Sequence, residues 1–520
     1  MGILTMPRQA DIIPNVGTSR RNHSKRNRVA GGGAVLVAVA AVATLLGTLG
    51  ALAQADPNNP PEEVIDAASQ GPAAIAALDE QVAEVADQNG LSPAELTTIL
   101  EKDETAWVDT SGQVFFVEPA LPDPGVGAVE EAAPTPQPLS ETFKLHSLPG
   151  AKRVVYLDFD GHDATGSGWD RGQADTYAEP WSRDGNSSSF NDAERRTIQE
   201  IWRRVSEDFA PFGVDVTTEN PGTENIRRTD AGDDRYGTRV AFSPNIVYDC
   251  QCGGVAYLNV FDVYGQRSGN TYQHDYYQPA WVVSGANASA KFMAEAASHE
   301  AGHNLSLGHD GTSNTGYYGG HGNWAPIMGV GYNRLVTQWS KGEYGGANNN
   351  EDDLAAIAAA GAPLRSDDHG DTVANGTALA SEAVNVEGII GTRGDRDAFT
   401  FTTSGGQVTV RVDPVDDGPN LDTSLALVDG SGNTVASSTS SGLGSSIDQA
   451  VGAGTYALVV DGVGAGDPVS TGYSDYASLG HFVLTGTIPG GDGGNPNPSC
   501  DGLSQEAEDG SLFGGFVVGS

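Results

Sequence analysis

Cysteine is nearly absent: Cys250, Cys252 and Cys500 are the only three in 520 residues. So few exclude a disulfide-stapled scaffold and a zinc finger built on thiolates. Bases are also scarce, with 28 Lys and Arg against 68 Asp and Glu and a formal net charge of -40. A nucleic-acid backbone is held by clustered Lys and Arg that displace counterions, so nucleic acid is excluded as a partner. Anionic membrane surfaces are disfavoured for the same reason. Charged residues make up only 18% of the chain, so its acidity reflects missing bases rather than dense charge. Beyond residue 55 no run is long and apolar enough to cross a membrane. At about 150 residues per domain the length allows two to four domains.

What is present begins at the N-terminus. Arg8, Arg20, Arg21, Lys25, Arg26 and Arg28 precede an uncharged Ala/Val/Leu-rich run over 29–55, which ends on Ala53-Gln54-Ala55. A basic start, an apolar centre and a small-x-small exit describe a secretory signal peptide over 1–55. An uncleaved anchor of the same length is the alternative. The expectation is a secreted, extracellular protein with no stable membrane association after cleavage.

Residues 56–144 are rich in Ala, Glu and Asp, with helix-like apolar spacing over 64–100. A strand-like run, Val114-Phe115-Phe116-Val117, leads into a Pro-rich linker over 119–138. This segment reads as a propeptide or as a permanent accessory domain. Over 145–365, strands are expected at 154–159, 214–217, 239–242, 254–260 and 280–284. Helices are expected at 192–209, capped by Asp192, at 287–304, and from 350 into the Ala run before Gly361. That mixture is an α+β fold. Over 366–488, alternating runs at 398–402, 408–412, 424–428, 455–460 and 482–488 are separated by Gly/Asp/Ser turns, the pattern of an all-β sandwich. Its Asp395, Asp397 and Asp461 are solvated turn carboxylates or a Ca2+ site. Residues 489–520 are a Gly/Pro linker and a short tail. Cys250 and Cys252 could close a short disulfide, remain thiols or bind a second metal.

The chemistry concentrates in His299-Glu300-Ala301-Gly302-His303, followed by His309. Residues i and i+4 share a helix face, so His299 and His303 can aim their imidazoles at one ion. Glu300 then stands beside the metal as a base for its bound water. His309 would fall on the wrong side of a continuous helix, so the helix must end after His303 and the chain fold back. Asn304 and Gly308 both tolerate the left-handed geometry of such an exit. Three protein ligands leave a fourth position open, the arrangement of a catalytic zinc site, and a purely structural zinc has no use for Glu300.

The stretch from His299 to Asp310 resembles the metzincin metallopeptidases, most closely their reprolysin-like (adamalysin) branch. Ala325-Pro326-Ile327-Met328-Gly329 resembles their Met-turn. The likeness covers roughly 145–360 and implies a mixed twisted sheet with an active-site helix. It implies one Zn2+ held by His299, His303 and His309, with Met328 beneath it and Asp310 in support. It further implies hydrolysis of protein or peptide substrates through a Glu-activated, zinc-bound water. Ser306 stands where the family usually has Gly, so the turn is expected to shift toward Gly308. Tyr332 could polarise a substrate carbonyl or act as a wall residue, and His321 is a loop histidine or a substrate contact. Residues 56–144 contain no Cys. A latent precursor (zymogen) would therefore need a latch other than a thiolate, such as a carboxylate, and nothing in the sequence singles one out.

The β-rich region resembles the bacterial pre-peptidase C-terminal domain in Asp397-Ala398-Phe399-Thr400-Phe401, Gly454-Thr455-Tyr456-Ala457-Leu458 and Gly472-Tyr473-Ser474-Asp475-Tyr476. Such domains flank secreted peptidases and can be trimmed off. Gln505-Glu506-Ala507-Glu508-Asp509-Gly510 resembles the first strand of a carbohydrate-binding module, which would add a glycan contact. Two alternatives stay open: a zinc hydrolase of non-peptide amides or esters, and a secreted adhesion or glycan-binding protein with a vestigial zinc site.

Overall fold

A computed structural model describes residues 63–120 and 137–490, apart from 173, 247, 249, 269, 270, 286, 440 and 441. The expected signal peptide, most of the Pro-rich linker and the C-terminal tail with its module-like start lie outside the described residues. The helical spacing of the leading segment forms α1 (Gly71–Leu78), α2 (Val82–Gln88) and α3 (Pro93–Lys102). Helix α3 starts on a capping box, in which Ser92 and Glu95 satisfy each other's backbone N–H groups. Three strands accompany them, β1 (Ser69–Gln70), β2 (Ala106–Val108) and β3 (Val114–Pro119). Leu78, Val85, Leu96 and Leu100 pack on Val114 and Phe116 in a core of the segment's own, joined from outside by Leu258.

The next unit contributes β4 (Arg153–Asp158), β5 (Val214–Thr217), β6 (Tyr236–Ser243), β7 (Cys252–Tyr257) and β8 (Ala280–Val283), with α4 (Asp192–Asp208), α5 (Ala290–Asn304) and α6 (Asp353–Ala359). One mixed sheet runs through both segments in the order β1-β2-β3-β7-β8-β6-β4-β5. Strands β5, β4, β6 and β8 are parallel to their neighbours, and β7 reverses against β8. Strand β3 then pairs antiparallel with β7, Phe116 opposite Ala256. The sheet therefore continues across the domain boundary expected near residue 144. Helix α4 buries Ile198, Ile201, Trp202 and Val205 against the sheet. Its cap is Asn191 rather than the expected Asp192, because Asn191 Oδ1 reaches two backbone N–H groups and Glu194 answers it. Cys250 and Cys252 form a disulfide.

The C-terminal region is all-β, in keeping with the expected sandwich. It comprises β9 (Ala383–Ile390), β10 (Arg396–Pro414), β11 (Thr423–Asp429), β12 (Thr434–Thr439), β13 (Ser445–Gly462) and β14 (Gly480–Thr487), paired in the order β9-β14-β10-β13-β11-β12. The two runs expected at 398–402 and 408–412 are one strand. Gly405 and Gly406, with φ of 109° and 149°, let β10 bend while its ladder with β13 continues. Strand β12, Thr434 to Thr439, has too little apolar alternation to be read from sequence.

This region is joined firmly to the α/β unit. Tyr476 and Ala477 belong to the same core as α4 and α5. The last turn of α4 is satisfied from the β side: His481 Nδ1 meets Glu207 Oε2 at 2.7 Å, and Asn420 Nδ2 donates to Asp208 Oδ1 at 2.8 Å. Asp208 also accepts from Ser298 on α5 at 2.5 Å. Among the described residues no helix is long and apolar enough to cross a membrane.

Candidate metal centre

Helix α5 is capped by Ser289, which accepts from Phe292 N–H, and it carries His299, Glu300 and His303 into the interior. Two glycines make their positions possible. A Cβ on Gly302 would stand 2.6 Å from Met328 Sδ, so Gly lets Met328 pass directly beneath the helix. A Cβ on Gly254 of β7 would collide with the Glu300 carboxylate. After Asn304 the chain turns back through Ser306, which itself takes φ of 79°. The expected shift toward Gly308 does not occur, because hydrogen bonds from Ser306 N–H to His303 O and from Leu307 N–H to Gly302 O hold the turn two residues earlier, at Ser306. Asn304 plays no part in the exit either: it stays helical and buried, donating to Tyr257 O at 2.8 Å.

The three histidines converge. His299 Nδ1 faces Ile327 O at 3.0 Å and His303 Nδ1 faces Leu307 O at 2.8 Å. Both carbonyls are acceptors, so each Nδ1 carries the proton and each Nε2 presents a lone pair inward. His309 Nδ1 is held at 2.6 Å by Asp103 Oδ2 of the leading segment, and its Nε2 lies 3.1 Å from His303 Nε2. His299 Nε2, buried, has no hydrogen-bond partner among the described residues.

A fourth group completes the cluster. Glu118, at the end of β3, places Oε1 at 3.1 Å from His309 Nε2 and 3.6 Å from His303 Nε2, with Oε2 at 3.8 Å from His299 Nε2. The ligand atoms of all four residues lie within 4.8 Å of one another, and all four residues are buried. This donor set, imidazole nitrogens with outward-tied Nδ1 atoms plus a carboxylate, fits a divalent transition metal. The orphaned Nε2 of His299 is the observation that favours such an ion.

Burial pushes His299 down to about 3 and also lowers His303. At His309 burial is outweighed by Glu118 and Asp103, which raise it to about 10. Burial would raise Glu118, but His309, His303 and His299 hold it well below the usual carboxylate range. Glu300 is pushed well above that range by burial and by the charge of Glu118.

The other expected site residues fall as follows. Met328 is fully buried under Gly302. Asp310 is buried; its N–H donates to Met328 O and its Oδ1 accepts from Tyr344, tying the third histidine to the Met-containing turn. Tyr332 lines a cavity of about 230 Å3 with Glu118, His299, Glu300, Tyr317 and Val330, its ring against Phe292. His321 is not brought to the cluster. Its Nδ1 meets the Tyr318 hydroxyl and its Nε2 meets Gly472 O, both at 2.7 Å, so it ties a loop to the β region.

Sequence reasoning missed Glu118, Asp103 and Tyr317, whose hydroxyl donates to Glu118. A single Glu between an apolar strand and Pro119 carries no signal by itself. The register slip between Val117 and Pro119 turns Glu118 toward the histidines, a pairing that only the folded sheet defines.

A second group is made of oxygens alone. Asp367, Asp371 and Asp395 approach one another, as do Asp367, Asp368 and Asp397. Asp397 is fully buried, and neither of its carboxylate oxygens has a hydrogen-bond partner among the described residues. Asp461, expected with them, instead pairs with Arg396 at 2.7 Å across the β10–β13 ladder.

No protein-family model matches the sequence, and no curated protein matches it. Among solved structures, the pre-peptidase C-terminal domain of collagenase from Bacillus anthracis is similar at 16% identity, covering 21% of this chain and 92% of that one. The TM-score is 0.16, too low to carry an argument.

Proposed function

We propose that this protein is a secreted zinc-dependent metalloendopeptidase of the metzincin type, closest to the reprolysin-like branch. The observation that carries the reading is the convergence of His299, His303 and His309 through Nε2, with Glu300 on the same helix beside them. The mixed sheet with α5 packed on β7 and β8, and Met328 under Gly302, supports it further. Bound zinc would supply Lewis acidity, polarising the scissile carbonyl and acidifying the attacking water. Glu300 accepts the proton of that water and returns it to the leaving amine. Ile327 O, Leu307 O and Asp103 fix the ring tautomers, and Tyr332 walls the neighbouring cavity.

The test is Glu300→Ala in the full chain, assayed on unfolded casein before and after limited proteolysis. We expect about one zinc per chain to be retained and hydrolysis to fall by a factor of roughly 10^2–10^4, the range of general acid–base contributions. A variant as active as the wild type sinks the assignment. Turnover of simple esters but not of casein favours the non-peptide hydrolase.

For the all-oxygen group we propose Ca2+, which takes carboxylate ligands in loose geometry. Calcium should stabilise the wild type by up to about 2.7 kcal/mol at a hundredfold excess over Kd, seen as a raised thermal midpoint. An equal rise in Asp397→Asn rejects the site.

A further inference from the structure

The carboxylate that faces all three histidines comes from the leading segment and not from the unit that supplies them. Glu118 is nine-tenths buried, and its carboxylate occupies the space among three Nε2 atoms where a reacting water would have to stand. Phe116, two residues earlier, stacks on His303 with ring centroids 4.3 Å apart and 19° between planes. It also meets His309 edge-on at 4.6 Å. Asp103, on the same segment, holds His309 Nδ1. The leading segment therefore touches two of the three histidines by ring packing and one by a charged hydrogen bond, and faces all three with a carboxylate.

The backbone is equally engaged. Strand β7 runs beside Glu300, with Gly254 in contact with its carboxylate, so the outer edge of β7 is the sheet edge that borders the centre. An extended peptide entering the centre could bind that edge by strand addition. Strand β3 already fills it, with Phe115, Phe116 and Val117 opposite Tyr257, Ala256 and Val255. The slip after Val117 then drops Glu118 into the centre. Backbone and side chain of one strand thus cover both the binding edge and the reacting position.

We propose that residues 63–119 keep the site latent, with Glu118 as a carboxylate latch on the metal and β3 in the lane of an extended polypeptide substrate. This rests on the metallopeptidase reading above. The segment has a core of its own joined by Leu258, and it adds Phe115 to a second core with Trp169 and Tyr257. None of its residues belongs to the core behind α5, so detachment would not open that core. The alternative is a permanent fourth ligand in a closed structural site.

The experiment uses the full chain loaded with Co2+ and titrated with acetohydroxamate, read by the visible absorption of the metal. Activity on unfolded casein is measured in parallel. In the wild type the four protein ligands should leave no binding of the probe. Glu118→Ala should admit it with at least a tenfold lower Kd, while casein, still barred by β3, should be cleaved only after limited proteolysis of the leading segment. Glu118→Gln keeps the shape of the side chain but not its charge, and should fall between them. It serves as the readout if the alanine variant does not fold. Probe binding by the wild type equal to that of Glu118→Gln overturns the latch, whatever the activity. A site opened by the substitution but inert toward casein even after limited proteolysis leaves the latch standing and overturns the peptidase reading. A site that stays closed in both folded variants overturns the latch as well.

Discussion

Two segments flank the same α/β unit and are joined to it in opposite ways. The leading segment, 63–120, has its own core of Leu78, Val85, Leu96, Leu100 and Phe116, and meets the unit through strand β3, Phe115 in a second core, and Asp103 on His309. The C-terminal region places Tyr476 and Ala477 inside the core that also holds α4 and α5. It also satisfies the buried end of α4 through His481 and Asn420. One segment covers the front of the centre, while the other braces the helices behind it. The covering segment contributes nothing to the core behind α5, whereas removing the bracing one leaves Glu207 buried without His481 and Asp208 with Ser298 alone. The β region is thus structurally integral here.

The largest expected effect tests the brace. Tyr476→Ala empties part of the shared core and removes the hydroxyl that donates to Asp352 Oδ1 and accepts from Leu354 N–H. Global stability should fall by about 3–5 kcal/mol, seen as one shifted unfolding transition. A separate low-temperature transition for the β region alone would break the comparison.

Phe116→Ala tests the cover. The cost should be about 3 kcal/mol but confined to residues 63–120, visible as faster hydrogen exchange there with the main transition unchanged. A matching global shift would show that the two segments are not different in kind.

The smallest effect concerns His146, just after the linker, where the α/β unit must hold its own start once the cover has gone. His146 Nδ1 meets Asp215 Oδ2 at 2.7 Å and Nε2 meets Glu219 Oε2 at 2.8 Å. The hydrogen bond to Asp215, opposed by burial and aided by Glu219, raises His146 to about 9. A base whose folded pKa lies above its unfolded value near 6.5 stabilises fully below that pH. The contribution is lost as pH rises through about 9. His146→Gln should flatten the stability profile between those limits by about 0.5 kcal/mol, discounted for partial exposure. An unchanged profile would remove His146 from the account.

The α+β character, the three histidines and Glu300 were legible in the sequence because each rests on local spacing. Strands 214–217 and 280–284 were placed within a residue, since their apolar runs are bounded by turns. Caps were less legible: Asn191 and Asp192 are both capping types, and only backbone direction chooses between them. The turn at Ser306 was misjudged because propensity favours Gly308, while the hydrogen bonds closing α5 decide the position.

Local periodicity determined that a helix would present His299 and His303 together and that the chain would turn to bring His309 back. That much is set by 3.6 residues per turn and needs no partner. Which carboxylate would stand among those histidines was decided only by tertiary structure. Glu118 lies 181 residues before His299 in the chain and reaches it through a strand pairing and a register slip. A register is a property of two strands, and no spacing within either one encodes it.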